Sequence, residues 1–139
     1  MPWRHRDERG DAFGTIEEPL DLEGALRRAA GYDVVVIDCL TLWLSNLLVR
    51  GASEGEVAAR VTALADDLVR ASFHSIVVTN EVGMGVVPES ALGRAFRDVT
   101  GRAHQALAAC ADEIYAGALG VLLRLRPGPI EIVSPRGAA

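Results

Sequence analysis

The chain has 139 residues, half of them apolar and 24% charged, and it carries a formal net charge of −5. This length and composition predict a single globular domain over residues 1–139 with its own hydrophobic core. The acidic balance argues against a nucleic-acid partner, and the longest apolar stretch, residues 40–49, is too short for a membrane span.

The cysteines and the start of the sequence indicate the cellular compartment of the protein. Cys39 and Cys110 lie far apart in apolar contexts, without C-x-x-C or Cys/His spacing, so we expect both to be reduced core residues. Met1 leads into charged residues rather than into a signal peptide. These features predict a cytoplasmic protein.

Helices are predicted where apolar residues recur at three- and four-residue steps. A polar segment that contains a histidine, residues 1–19, comes first. The helical pattern then occupies four segments: 20–30, 40–49, 54–72 and about 88–111. In the second of these segments, Leu42 and Trp43 are both expected to pack in the core.

Strands are predicted where apolar residues run without interruption. The runs at 34–38 and 75–79 show no alternation, which suits parallel strands covered on both faces. Because these runs alternate with helices, the fold class is α/β with a mainly parallel sheet. Shorter apolar runs predict three more strands, the last of them within a C-terminal tail at 127–139; they lie at 113–116, 120–125 and 130–133.

The junction after the second strand is the most distinctive segment of the chain. Asn80, Glu81, Gly83 and Gly85 follow the apolar run, and Pro88 then opens the next predicted helix. Glycine lets the backbone take positive φ and lets a ligand approach closely. In open α/β sheets, ligands bind at the carboxyl edge of the strands. The junction therefore indicates a ligand site, and the alternative is a plain strand-to-helix turn.

Two further residues have chemistry that suits a nucleotide. Asp38 ends the first predicted strand, where a carboxylate either holds Mg²⁺ or caps the next turn. His5 is flanked by Arg4, Arg6 and Arg9, whose guanidinium groups suit a triphosphate. A neutral imidazole is also a competent nucleophile toward phosphorus, and the alternative for His5 is a solvated terminal side chain.

The last predicted helix carries a cluster of charged residues. Arg94, Arg97, Asp98 and Arg102 share this helix, and Asp98 and Arg102 have the i,i+4 spacing of an ion pair. Three interpretations stay open: a solvated salt-bridged face, an oligomer interface, and arginines that face a phosphate. His104, on the same helix, is expected at the surface or at an interface.

Several segments together match one known pattern, in order along nearly the whole chain. They are His5-Arg6 with Arg9, Phe13 and Thr15–Pro19, then Asp38–Leu48, then Asn80–Glu89 with Phe96–Asp98, Gly101–Arg102 and Gln105. These segments resemble the adenosylcobinamide kinase/adenosylcobinamide-phosphate guanylyltransferase family of cobalamin biosynthesis. The resemblance implies a P-loop-NTPase-like three-layer α/β fold with a mainly parallel sheet.

The resemblance also implies two linked transferase reactions. ATP or GTP phosphorylates adenosylcobinamide, and GMP from GTP is then transferred to that phosphate through a guanylylated histidine. By position in the pattern, His5 is the catalytic nucleophile, and Asp38 is the site for the cofactor Mg²⁺. The implied nucleotide contacts are Arg6, Asp7, Glu8, Arg9, Glu17 and Asp38. The candidate substrate pocket is formed by Asn80, Glu81, Gly83 and Gly85.

The chain departs from the family pattern at its start. Members open with a strand and a P-loop before the histidine segment, whereas Met1 lies four residues before His5. We therefore expect an N-terminally truncated member that lacks the first strand, the P-loop and the P-loop helix. The sequence contains no lysine and no G-x-x-x-x-G-K-S/T pattern. The alternative function is an inactive, truncated or degenerate member retained for binding or assembly.

The resemblance finally suggests a homo-oligomer, such as a trimer. Arg94, Arg97 and His104 are the residues expected at its interface.

Overall fold

Residues 13–133 are described by the computed structural model of the chain, and they follow the predicted order of elements closely. The elements are α1 (Leu22–Arg28), β1 (Val34–Asp38), α2 (Leu40–Val49), α3 (Glu54–Arg70), β2 (His74–Val78), α4 (Ala91–Cys110), β3 (Ile114–Ala118), β4 (Val121–Arg126) and β5 (Glu131–Ile132). Each predicted helix and strand is present; β1 and α2 have the predicted bounds, and most other ends are displaced by one to three residues. The mixed α/β class is confirmed.

The strands form two small sheets rather than one mainly parallel sheet. β1 and β2 pair in parallel, and β3, β4 and β5 form a separate antiparallel sheet. The prediction of a mainly parallel sheet is therefore wrong for the C-terminal strands. The reason is the tight connection between β3 and β4, where Leu119 and Gly120 both have positive φ, at 55° and 77°. A two-residue turn of this kind closes an antiparallel hairpin.

The parallel pair is covered on one face only within the described residues. Ile37 is buried against the core, whereas Val34 and Val36 of the same strand are 50% and 46% exposed. Ile76 of β2 is likewise exposed. The prediction that both faces are covered is wrong here, because the described helices pack on one side of this pair.

Helices α2, α3 and α4 build most of the core against the covered face of the parallel pair. Leu40 and Leu44 of α2 and Val57 and Leu64 of α3 are fully buried. Trp43 packs among them as predicted, but Leu42 is 59% exposed, so the prediction for Leu42 is wrong. At 100° per residue, one face of α2 cannot hold every leucine of so apolar a segment.

Serine residues fix where the two long helices begin. Ser53 caps α3, and Glu56 completes a capping box by accepting hydrogen bonds from the Ser53 backbone and hydroxyl, both at 2.7 Å. Ser90 caps α4 by accepting a hydrogen bond from the backbone N–H of Gly93 at 3.0 Å. The helix predicted from Pro88 therefore begins three residues later, because the serine hydroxyl satisfies a first-turn N–H.

The two cysteines differ from expectation in their burial. Both are free thiols, but Cys39 is only partly buried and Cys110 is exposed. The prediction of two core cysteines is wrong for Cys110, which lies in the last turn of α4. In the described part of the chain, no helix is long and apolar enough to cross a membrane.

Candidate functional site

The carboxyl ends of β1 and β2 meet at one edge of the parallel pair. Asp38 pairs in register with Val78, so Cys39 and Thr79 begin the two connections that leave this edge. The exposed Asp38 and the Asn80–Gly85 segment therefore belong to one surface, as the sequence predicts. Such an edge is where open α/β sheets bind ligands.

Asn80 links the two connections through a hydrogen bond. Its side-chain amide donates to the hydroxyl of Thr41 at 3.1 Å, and the Thr41 hydroxyl lies 3.3 Å from the thiol of Cys39. Thr41 is only 5% exposed. Since a buried hydroxyl needs a partner, this contact fixes the start of α2 against the segment after β2.

Glu81 holds the glycine turn from one side. One of its carboxylate oxygens accepts a hydrogen bond from the backbone N–H of Gly83 at 2.6 Å. A Cβ atom added at Gly83 would lie 2.8 Å from this same oxygen, closer than real contacts allow. A side chain at position 83 would therefore displace the Glu81 carboxylate from this hydrogen bond, whereas the left-handed glycines of the described chain are Gly51 and Gly120.

His104 connects Glu81 to the end of β2. Its Nδ1 lies 3.6 Å from the second carboxylate oxygen of Glu81, and its Nε2 lies 2.7 Å from the hydroxyl of Thr79. With the proton on Nδ1, Nε2 accepts a hydrogen bond from the Thr79 hydroxyl. His104 therefore lies between the end of β2 and the Glu81 carboxylate, with its hydrogen bond made to Thr79.

Arg97 holds the glycine turn from the other side. Its Nη2 donates a hydrogen bond to the carbonyl oxygen of Gly83 at 3.1 Å. Both residues line a widely open cleft of about 390 Å³ between the turn and α4. The lining residues of this α4 cleft are Gly83, Arg97, Asp98, Gly101, Arg102 and Gln105.

The next residues of the turn present apolar side chains to solvent. Met84 is 91% exposed and Val86 is 95% exposed, and Val87 is exposed as well. Because Met84 directly follows Gly83, this apolar rim lies beside the α4 cleft. The candidate site therefore combines a polar strand edge, a charged cleft and an apolar rim.

The charged residues of α4 are paired differently from the sequence prediction. Within the described residues, Arg102 forms its ion pair with Glu54 of α3 at 3.3 Å, rather than with Asp98. Arg94 donates to the backbone carbonyl oxygens of Pro88 and Glu89 at 3.1 and 2.6 Å. Tertiary neighbours thus replace the i,i+4 pair, because an exposed helix pair contributes only a few tenths of a kcal/mol, on the order of 0.3.

The predicted nucleotide contacts divide into two groups. Glu17 and Asp38 lie in the described part of the chain, and both are exposed. The described residues contain no group of three His, Cys, Asp or Glu side chains that could hold a metal ion. The remaining predictions lie outside the described residues; they are His5, Arg6, Asp7, Glu8 and Arg9.

Sequence reasoning missed three residues of this surface. Thr41 and Thr79 are short polar residues beside Asp38 and Asn80, and their positions just after the strands were the available signal. His104 lies on α4, and only the tertiary contact with Thr79 shows that it faces the strand edge. A helical residue's partner on a distant strand is not visible in local sequence.

Comparison with known proteins identifies relatives along most of the chain. A family model described as cobinamide kinase / cobinamide phosphate guanyltransferase matches residues 3–125. The bifunctional adenosylcobalamin biosynthesis protein CobU of Escherichia coli (strain K12) is 33% identical over 135 residues, which cover 88% of this chain and 75% of that protein.

Two further relatives carry similar names. The bifunctional adenosylcobalamin biosynthesis protein CobU of Salmonella typhimurium is 36% identical over 106 residues, covering 68% of this chain and 59% of that protein. The bifunctional adenosylcobalamin biosynthesis protein CobP of Pseudomonas aeruginosa is 36% identical over 127 residues, which cover 91% of this chain and 73% of that protein. The similarity thus spans 59% to 75% of the length of these three relatives.

Proposed function

We propose a function that proceeds from one premise: the chain belongs to the cobinamide kinase / cobinamide phosphate guanyltransferase family. We infer that it is a bifunctional transferase that phosphorylates adenosylcobinamide with ATP or GTP and then transfers GMP from GTP to that phosphate. The observation that carries the proposal is the extent of the match, residues 3–125, which joins the His5 segment to the strand edge and α4.

The guanylyl transfer is proposed to run through His5. The imidazole attacks the α-phosphorus of GTP, a P–N bond forms and pyrophosphate leaves. The phosphate of the second substrate then attacks the same phosphorus, and the P–N bond breaks. Covalent catalysis of this kind divides one difficult displacement into two easier ones. The nucleotide would be bound by Arg6, Asp7, Glu8, Arg9 and Glu17.

The strand edge would supply the rest of the site. Magnesium in nucleotide sites is bound through one or two carboxylates together with phosphates and water, so the single exposed carboxylate of Asp38 fits this role. The ion would offset charge on the phosphoryl oxygens. Asn80, Glu81, Gly83 and Gly85 would form the pocket for the cobinamide substrate, because hydrogen bonds hold three of them in place.

Labelling with GTP tests the guanylyl transfer directly. The chain is incubated with α-labelled GTP and Mg²⁺, and we expect a protein label that is labile to acid and stable to base, as for a phosphoramidate. His5→Ala should abolish the label. His74→Ala is the matched control, because His74 begins β2 at the opposite end from the site, and it should keep the label. An unlabelled wild-type chain, or full labelling of His5→Ala, contradicts the proposal.

One observation favours a second candidate, a family member without nucleotide turnover. These 139 residues include no lysine and no G-x-x-x-x-G-K-S/T pattern, the usual cradle for a triphosphate. An inactive family member would then serve in binding or assembly. Calorimetric titration with GTP and with ATP separates the two candidates: micromolar affinity for either nucleotide favours the enzyme, and no measurable heat favours the second candidate.

We also propose a cytoplasmic homo-oligomer, such as a trimer. Arg94, Arg97 and His104 are the residues proposed for its interface. Within their own chain, Arg97 contacts Gly83 and His104 contacts Thr79, and Arg97 keeps further donors for a partner subunit. Size-exclusion chromatography with light scattering decides the state, and a mass of 14.8 kDa alone would refute the oligomer.

A further inference from the structure

Gly101 occupies a place in α4 that packing does not explain. It lies in the interior of a 20-residue helix, where glycine is less favourable than alanine. A Cβ atom added there would meet no atom within 4 Å, so no neighbour demands the small side chain. Its open side is the α4 cleft, where Arg97 stands one turn before it and Gln105 one turn after it. Glycine at position 101 thus leaves this part of the cleft free of side-chain atoms.

The walls of the α4 cleft carry two guanidinium groups. Arg97 is partly buried and is held by its hydrogen bond to the Gly83 carbonyl oxygen. Arg102 is held by Glu54 at 3.3 Å through one nitrogen. Each guanidinium has five N–H donors in a planar fork, so each keeps donors beyond the bond named here. Arg97 is therefore positioned before any ligand arrives, whereas Arg102 is 64% exposed and is held by one surface ion pair.

The charge of the lining favours an anion, with two opposing carboxylates. Arg97 and Arg102 contribute two positive charges and Asp98 one negative charge, which leaves the lining at +1, and Glu54, outside the lining, pairs with Arg102. Gln105 adds a neutral amide donor. Arginine forks match the geometry of phosphate oxygens, and a glycine at position 101 leaves space for such a group beside them.

We propose that the α4 cleft binds a phosphate group, through Arg97, Arg102 and Gln105 over Gly101. The identity of the whole ligand rests on the proposed function, which offers two sources of this group: the phosphate of a cobinamide phosphate and a phosphate of the nucleotide. The exposed apolar rim at Met84 and Val86 lies beside the cleft and suits a ligand with a large apolar surface.

Titration with inorganic phosphate tests the α4 cleft without any turnover. At constant ionic strength, we expect saturable NMR shifts of the Gly101 and Gly83 amides and of the Arg97 Nε–H. Gly101→Ala should weaken phosphate binding about tenfold because a methyl group enters the cleft, and should also raise Tm. Gly55→Ala, at another open helical glycine, should raise Tm and leave phosphate binding unchanged.

Variants that change the charge of the cleft test the same phosphate binding. Arg97→Gln should weaken phosphate binding about tenfold, as expected when a charged hydrogen bond is lost. Asp98→Asn should strengthen it about threefold, because a like charge is removed near the anion. Equal phosphate affinity in wild type, Gly101→Ala and Arg97→Gln overturns the proposal, as does the absence of saturable shifts at Gly101.

The two sources are separated by titrating cobinamide phosphate and GMP in turn. One of these two ligands should bind more weakly to Gly101→Ala but not to Gly55→Ala. That ligand is the one that places its phosphate in the α4 cleft. If neither affinity depends on Gly101, the assignment of the cleft is wrong. Loss of GTP labelling at His5 with intact phosphate shifts would instead refute the proposed function alone, so the two failures are distinguishable.

Discussion

The carbonyl oxygen of Gly83 accepts a hydrogen bond from Nη2 of Arg97 at 3.1 Å, across 14 positions of sequence. The N–H of the same glycine donates to Glu81 at 2.6 Å. Both backbone polar groups of Gly83 are therefore held by charged side chains, one from the turn and one from α4. A turn held in this way keeps its shape before a ligand binds, which lowers the entropy cost of binding.

Removal of the Glu81 carboxylate should loosen the glycine turn. In Glu81→Ala, the Gly83 N–H loses a charged acceptor, and we expect its hydrogen exchange to accelerate about fivefold to tenfold. Exchange followed by NMR measures this effect. Glu89→Ala removes an exposed carboxylate from the same connection and should leave Gly83 exchange unchanged. Equal exchange rates in wild type and Glu81→Ala would contradict the role of Glu81.

The contact between Asn80 and Thr41 should contribute to stability as a pair. Asn80→Ala leaves the buried Thr41 hydroxyl without its amide partner, so we expect the free energy of unfolding to fall by about 1–2 kcal/mol. Thr41→Val removes the other partner. In a double-mutant cycle from urea unfolding, the coupling energy should be about 1 kcal/mol. A coupling energy near zero would show that the two side chains act independently.

The elements were predictable from sequence because their signals are local. The apolar repeat from Val57 to Leu64 specifies one buried face of α3, and the run at 34–38 specifies β1. Pairing is a tertiary property, and so the antiparallel sheet was missed, although Leu119-Gly120 marks its hairpin once the positive φ values are known.

The residues of the site were likewise predictable only where their signals are local. Asp38 and Asn80 were found because they directly follow apolar strands, which is a local signal. His104 and Thr41 were missed because their roles depend on contacts across 25 and 39 positions of sequence. Such partners are fixed by packing of α4 and α2 on the parallel pair, and no spacing rule within one element specifies them.

The capping box of α3 should make stability depend on pH. The pKa of the Glu56 carboxyl is lowered, first by the backbone N–H of Ser53 and then by its hydroxyl. Since the unfolded chain then binds a proton more readily, this contribution is complete above the ordinary glutamate pKa of about 4.3 and is lost as pH falls through the lower folded value.

Urea unfolding of Glu56→Gln across a pH series measures this dependence. The variant should be less stable than wild type near neutral pH, and the difference should shrink as pH falls below about 4. Ser53→Ala retains the backbone N–H, the main cause of the shift, so it should keep most of the pH dependence while losing about 1 kcal/mol of cap stability. A pH-independent difference between Glu56→Gln and wild type would refute this account.

Arg60 of α3 should anchor α1 and the segment that precedes it. Its guanidinium donates to both carboxylate oxygens of Glu23, at 3.2 and 2.6 Å, and to the Leu20 carbonyl oxygen at 2.8 Å. It also lies 5.5 Å from the ring of Trp43, whose indole N–H donates to the same Leu20 oxygen. Lysine offers a point charge instead of a planar fork and cannot make all of these contacts.

We therefore expect Arg60→Lys to lower the free energy of unfolding by about 1–2 kcal/mol, measured by urea unfolding with tryptophan fluorescence. Arg70→Lys is the matched control on the same helix, because Arg70 is 70% exposed and pairs only with Asp67 among the contacts described. An exposed pair of this kind contributes little, so the control should change stability by less than about 0.5 kcal/mol. Equal stability of Arg60→Lys and wild type would show that charge alone holds the segment, and that the fork geometry is dispensable.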